Sequence, residues 1–280
     1  MKHISIWLLL IVALPVWAQP KIVASIKPLQ LIAQAMVGDQ FRVEVLLPPG
    51  ATPHHYSMRP SDIEKIVEAD LVLWLGPSAE PYLQKLANRS VLHKKMLNIT
   101  PIEMKGQNLE DLHIWLGPKQ ALAMAAQISA RLERLDPARG GDYRANLRQF
   151  KQQIRDFNDG LVQRLSGNVS PYLVYHDAYR YFEESAAISH AGIISINPEI
   201  KPGARRVAQL QRLAEQGHVS CIFAEPQADI KIIELIVNQG AVRVIRVDPM
   251  ASSIEPGSGA YLGFLTDIAE RFGRCRPSQQ

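Results

Sequence analysis

Short β-branched runs alternate along this chain with stretches of helical periodicity, the pattern of parallel strands joined by crossover helices. Lys21–Ile26 reads as a strand and is followed, after Pro28, by a helix through Met36. Val43–Leu47 is a second strand, running into the loop Pro48-Pro49-Gly50-Ala51. A helix opens at Ser61 and Asp62, just behind Pro60, and continues to Ala69. Asp70–Gly76 reads as a buried strand, Ala79–Ala87 as a helix, and Asp111–Trp115 as a strand end or helix start. Pro118–Leu135 is a helix stopped by Asp136-Pro137.

The next segment sets the architecture. Tyr143, Leu147, Phe150, Ile154, Phe157, Leu161 and Leu165 recur at spacings of three and four. They define an amphipathic helix of about six turns, roughly 35 Å long, with Lys151, Gln152, Arg155 and Asp156 on its wet face. A coiled-coil partner would satisfy the same stripe, yet a single long helix between two alternating regions more simply joins two lobes. Beyond it Tyr172–Tyr175, Gly192–Ile196, Cys221–Ala224 and Val242–Val247 read as strands; Ala204–Glu215, Asp229–Asn238 and Tyr261–Phe272 read as helices. The expected class is α/β, with two lobes, each a parallel sheet flanked by helices, joined by one long rigid helix. The expected divisions are residues 1–18 as a signal peptide, 19–138 as an N-terminal lobe, 139–166 as the linking helix and 167–280 as a C-terminal lobe. Open α/β sheets bind ligands past the carboxyl ends of their strands, so the natural site is a cleft between the lobes.

Composition narrows the class. Lys2 and His3 precede the apolar run Ile6–Leu14, which is too short to span a bilayer, and Val16-Trp17-Ala18 suits signal cleavage before Gln19. No cysteine stands there to carry a lipid anchor, so a soluble exported protein is expected, without a membrane span of its own. Its two cysteines, Cys221 and Cys275, suit an oxidising compartment, where a disulfide worth about 4 kcal/mol competes with two free buried thiols. Net charge is +4 as written and +3 without Lys2. The basic residues are interspersed with acidic ones and lack aromatic interleaving, which argues against nucleic acid as a partner.

Three histidines carry the candidate chemistry: His54, His113 and His176, roughly sixty residues apart. Each stands at the expected site edge of a lobe, so only a fold could unite them. Converging imidazoles would make a zinc site rather than a magnesium or calcium one. Asp248, past the last strand, is the candidate fourth ligand, with water as the alternative. His55 points away from His54 on extended backbone, and Glu225 or Asp177 suits a role orienting a ligand. His93, His190 and His218 read as surface residues.

Several motifs resemble one known family. They are Leu47-Pro48-Pro49-Gly50-Ala51 leading to His54, Tyr56-Ser57-Met58-Arg59-Pro60-Ser61-Asp62, and Asp111-Leu112-His113-Ile114-Trp115-Leu116. Further matches are His176-Asp177-Ala178-Tyr179, Asn197 to Ala204, Phe223-Ala224-Glu225-Pro226-Gln227 and Asp248-Pro249. Across almost the whole chain the sequence resembles the ZnuA-like members of the cluster A-I solute-binding family, the metal-binding proteins of zinc ABC importers. The resemblance implies that His54, His113 and His176 bind Zn²⁺ and that Cys221 and Cys275 form a disulfide. Two departures stand out. Many zinc-binding members have a long loop rich in histidine and acidic residues, whereas Val91–Leu109 is short with His93 its only histidine. Some place a glutamate just before the first histidine, where this chain has Pro53.

The expected function is therefore a periplasmic zinc-capture protein, a monomer and not an enzyme, that hands its ion to an inner-membrane ABC permease. Affinity should weaken as pH falls through about 6.5, since imidazolium cannot ligate. The alternatives are a manganese or iron carrier of the same fold, whose members usually put a carboxylate where this chain has His176, and a zinc-dependent hydrolase. No His-Glu-x-x-His helix supports the hydrolase.

Overall fold

The computed structural model describes residues 19–53, 56–101, 111–195, 200–237 and 242–276. In its first half, β1 (Ile22–Ala24) leads into α1 (Lys27–Val37), then β2 (Val43–Val45), α2 (Pro60–Glu68), β3 (Leu71–Trp74), α3 (Pro81–Ala87), α4 (Ser90–His93), β4 (Met96–Asn98) and α5 (Pro118–Leu135). The long helix α6 spans Gly140–Leu165. The second half runs β5 (Tyr172–His176), α7 (Arg180–Ala186), β6 (Gly192–Ser195), α8 (Ala204–Glu215), β7 (Cys221–Ala224), α9 (Ile230–Val237), β8 (Arg243–Arg246) and α10 (Ala260–Gly273). Among the described residues the strands form two parallel sheets of four, in the orders β2-β1-β3-β4 and β6-β5-β7-β8.

Period-two alternation assigns each sheet two different partners. In the first sheet Ile22, Ala24, Leu71 and Leu73 face a large central core, while Val23, Val72 and Trp74 face a smaller cluster with Ile66, Leu83 and Leu86. In the second sheet Tyr172, Val174, Cys221 and Phe223 face the same central core, and Leu173, Tyr175 and Ile222 face Leu210, Ile233 and Ile236. The central core is therefore continuous through both halves. Its middle is α6, whose predicted stripe is buried at Tyr143, Phe150, Ile154, Phe157, Leu161 and Leu165, and which packs against α1, α5, α7 and α10. At 26 residues the helix is about 39 Å long.

Local chemistry explains several ends. Helix α1 stops at Gly38, whose φ of 77° is open to glycine. Gln34 then ties the turn to β2, donating to the Phe41 carbonyl at 2.6 Å and accepting from the Val43 N–H at 3.2 Å. Pro60 is the first residue of α2 rather than its preceding neighbour, because a proline at that position loses no helical hydrogen bond. Asp62 accepts from the Arg59 N–H at 2.8 Å and so caps the same turn. Cys221, at the start of β7, is disulfide-bonded to Cys275 just past α10, with Cα atoms 5.9 Å apart. The bond ties the last helix to the second sheet. Among the described residues no helix is long and apolar enough to cross a membrane.

Candidate functional site

Two histidines from opposite halves of the molecule meet. His176 is the last residue of β5, inside the strand rather than past it, and His113 ends the loop before the single helical turn Ile114–Leu116. Both are 5% exposed, and their ring centroids lie 4.6 Å apart at an interplanar angle of 75°. The carboxyl edges of the two halves thus converge on one buried point.

Each ring is held by a buried carboxylate. Asp111 Oδ1 accepts from the His113 backbone N–H at 2.9 Å and from its ring Nδ1 at 2.7 Å. Glu225, just past β7, lies 3.2 Å from His176 Nδ1, because β5 and β7 are neighbouring parallel strands. A carboxylate can only accept, so both contacts place the imidazole proton on Nδ1. The lone pair then sits on Nε2. Sequence reasoning named Glu225 but missed Asp111. The available signal was the Asp-x-His spacing, which lets one carboxylate cap the backbone and orient the ring.

Trp115 joins the two halves beside this pair. Its ring lies 5.1 Å from that of His113, its Nε1–H donates to the Pro249 carbonyl at 2.8 Å, and its own carbonyl accepts from Tyr261 Oη at 2.6 Å. Tyr181 adds a bond from its hydroxyl to the Asp111 carbonyl at 3.1 Å. Tyr179 is raised well above its ordinary value, first by burial and then by the charges of Glu225 and Asp248. Its hydroxyl keeps its proton beside those carboxylates.

The remaining sequence candidates fare differently. Asp248 is half-buried on the expected edge, but both its oxygens accept backbone N–H groups, from Met250 at 2.9 Å and Ser252 at 2.7 Å. That carboxylate shapes the turn after β8. His54 and His55 lie outside the described residues, as does Asn197-Pro198-Glu199. Among the described residues no three His, Cys, Asp or Glu side chains form a group ready for a metal ion. Asp177 Oδ1 is buried without a hydrogen-bond partner among the described residues. His93 and His218 are exposed. His190 is not a simple surface residue: it bonds the buried Glu183 at 3.0 Å, which raises its pKa.

Two parallel sheets sharing a core around one long helix, with functional groups on facing strand ends, define the class of two-lobed solute-binding proteins. The family model of the periplasmic zinc-uptake complex component A, ZnuA, matches residues 22–275. The high-affinity zinc uptake system protein ZnuA of Yersinia pestis is 32% identical, with 92% of each chain covered, and that of Haemophilus ducreyi is 31% identical, covering 92% of this chain and 94% of that one. A crystal structure of a ZnuA deletion mutant with zinc bound superposes with a TM-score of 0.78 at 28% identity, covering 94% of this chain and all of that one. The chain belongs to the ZnuA family. It is accordingly a solute-binding protein and not an enzyme.

Proposed function

We propose that this chain is the periplasmic component of a zinc importer, binding Zn²⁺ between its lobes through His54, His113 and His176 and delivering it to an inner-membrane ABC permease. The observation that carries the reading is the meeting of His113 and His176 from opposite halves, each with Nδ1 tied to a buried carboxylate. Paired in this way, imidazoles present Nε2 to a borderline-soft ion. The third imidazole is that of His54, which lies outside the described residues. The fourth position falls to water or to Asp248, whose oxygens would keep lone pairs for a metal beside their backbone bonds. Zinc names in the family and in the zinc-bound relative support the cargo. An imidazole at position 176 favours zinc over manganese or iron.

The same reading assigns residues 1–18 to a signal peptide cleaved before Gln19, 19–138 and 167–280 to the two lobes, and 139–166 to the linking helix, in a monomeric carrier. Metal analysis of protein purified without added metal tests it. Single changes His54→Ala, His113→Ala and His176→Ala should each remove most of the bound zinc, whereas His93→Ala and His218→Ala should not. Full zinc occupancy in any of the first three would remove that residue from the ligand set.

A further inference from the structure

We propose that an arginine-lined groove on the second half is a docking surface for the phosphate headgroups of an anionic membrane. An open groove of about 1220 Å³ lies between the ends of α6 and α10 and the start of β8, lined by Arg164, Arg243, Arg274 and Arg276. A second hollow of about 460 Å³ along β8 shares Arg243 and Arg274 and adds Arg246 and Arg271. Strand β8 is the sheet edge next to β7, and among the described residues no strand lies against its outer side.

Few carboxylates offset these charges. Among the described residues the only ion pair made by the six arginines is Arg271 with Asp267, at 2.7 Å. Three of the others donate to carbonyls instead: Arg243 to that of Arg276, Arg276 to that of Gly273 at 2.8 Å, and Arg164 to that of Gly160 at 3.1 Å. Six arginines against Asp267, Glu270 and Asp248, all three of which act on Arg271, leave three positive charges. The carbonyl ends of α6 and α10 subtract about one charge in all, and the patch stays positive. Two arginines would suffice to protect an edge strand from unwanted pairing. Six, spread over two adjoining hollows, suit several phosphates presented side by side.

Guanidinium forks match phosphate oxygens in pairs, which selects phosphate chemistry. The grooves are open and their arginines largely exposed, so a planar array of headgroups fits better than one enclosed small anion. Arg243 and the Cys221 end of β7 lie at the amino ends of the strands, opposite His176 and Glu225. Arg246 ends β8 at the opposite edge, paired with Ala224, so only docking centred on the larger groove, at Arg164, Arg243, Arg274 and Arg276, leaves the imidazole edge uncovered. Binding would be reversible and would concentrate the carrier along the membrane surface.

The test is flotation of the processed chain, from Gln19 onward, with vesicles of mixed phosphatidylglycerol and phosphatidylcholine or of phosphatidylcholine alone. Association with the anionic vesicles at low salt, its loss at 0.5 M salt and its absence with neutral vesicles are expected. Arg243→Gln with Arg246→Gln should weaken partitioning about 25-fold, at about fivefold per arginine, with melting temperature and zinc content unchanged. Arg89→Gln with Lys94→Gln, an equal charge change on the other half, should leave it intact. The salt dependence of the unaltered chain tests the idea even if the arginine variant folds poorly. No association with anionic vesicles, or equal loss in both variants, overturns it. Calorimetric binding of inorganic phosphate or pyrophosphate without vesicle association would overturn it in favour of a small-anion site.

Discussion

Replacing Glu80 with glutamine should flatten part of the pH dependence of stability. Glu80 is fully buried between β3 and α3, where it accepts from the Leu75 N–H at 2.6 Å and from the Tyr82 hydroxyl at 3.2 Å. Burial outweighs these bonds and raises its carboxyl from 4.5 to about 7. Because the folded value lies above the unfolded one, the native chain keeps a proton that the unfolded chain has released. The associated stability is fully present below pH 4.5 and is lost as pH rises through about 7. Each pH unit in that window costs about 1.4 kcal/mol, so the loss totals roughly 3 kcal/mol, a large share of the stability of a typical domain. The glutamine side chain can still accept the Leu75 bond and cannot ionise. Urea unfolding of both proteins from pH 4.5 to 8, with metal chelated, reads the difference. The variant should gain about 3 kcal/mol relative to the parent across that range. Parallel curves at every pH would show that Glu80 stays charged in the folded chain and would refute the burial argument.

Three further outcomes follow from the structure. Reducing the Cys221–Cys275 bond, which closes a separation of 54 residues, should lower the unfolding free energy by about 4 kcal/mol; denaturation of Cys221→Ser with Cys275→Ser checks it, and unchanged stability would contradict it. Asp111→Asn and Glu225→Gln should each weaken zinc affinity about 10- to 100-fold while leaving the fold intact, as read by competition with a chelator; unaltered affinity in both would deny the carboxylates an orienting role. Because one core passes through both halves along α6, zinc should leave the radius of gyration in solution scattering essentially unchanged. A marked compaction would show that the halves hinge widely.

Long periodic elements were legible in the sequence because their burial follows one simple rule. The bounds of α5 and α8 match the periodic stretches residue for residue, and the apolar stripe from Tyr143 to Leu165 runs through α6. Some short elements were not legible. Strand β4 has no β-branched residue and is only half-buried, so it takes its conformation from pairing with β3 rather than from its own pattern. Helices α4 and α7 span one or two turns, too few for a period to register. At the site, the placement of His113 and His176 at strand or loop ends predicted their approach, because parallel sheets align such ends. The partners of their Nδ1 atoms depend on side-chain reach across a loop and between strands. Asp111 was therefore missed, and Asp248 turned out to have both oxygens engaged by the turn that follows it.

The central claim is that imidazoles from distant parts of the chain surround one zinc ion. X-ray absorption at the zinc edge, on protein loaded with one equivalent of Zn²⁺, addresses it directly. The account predicts three histidine nitrogens at about 2.0–2.1 Å with one oxygen completing the shell, and loss of one imidazole contribution in His113→Ala and in His176→Ala. A shell of oxygens alone, or a spectrum unchanged by both substitutions, would contradict it.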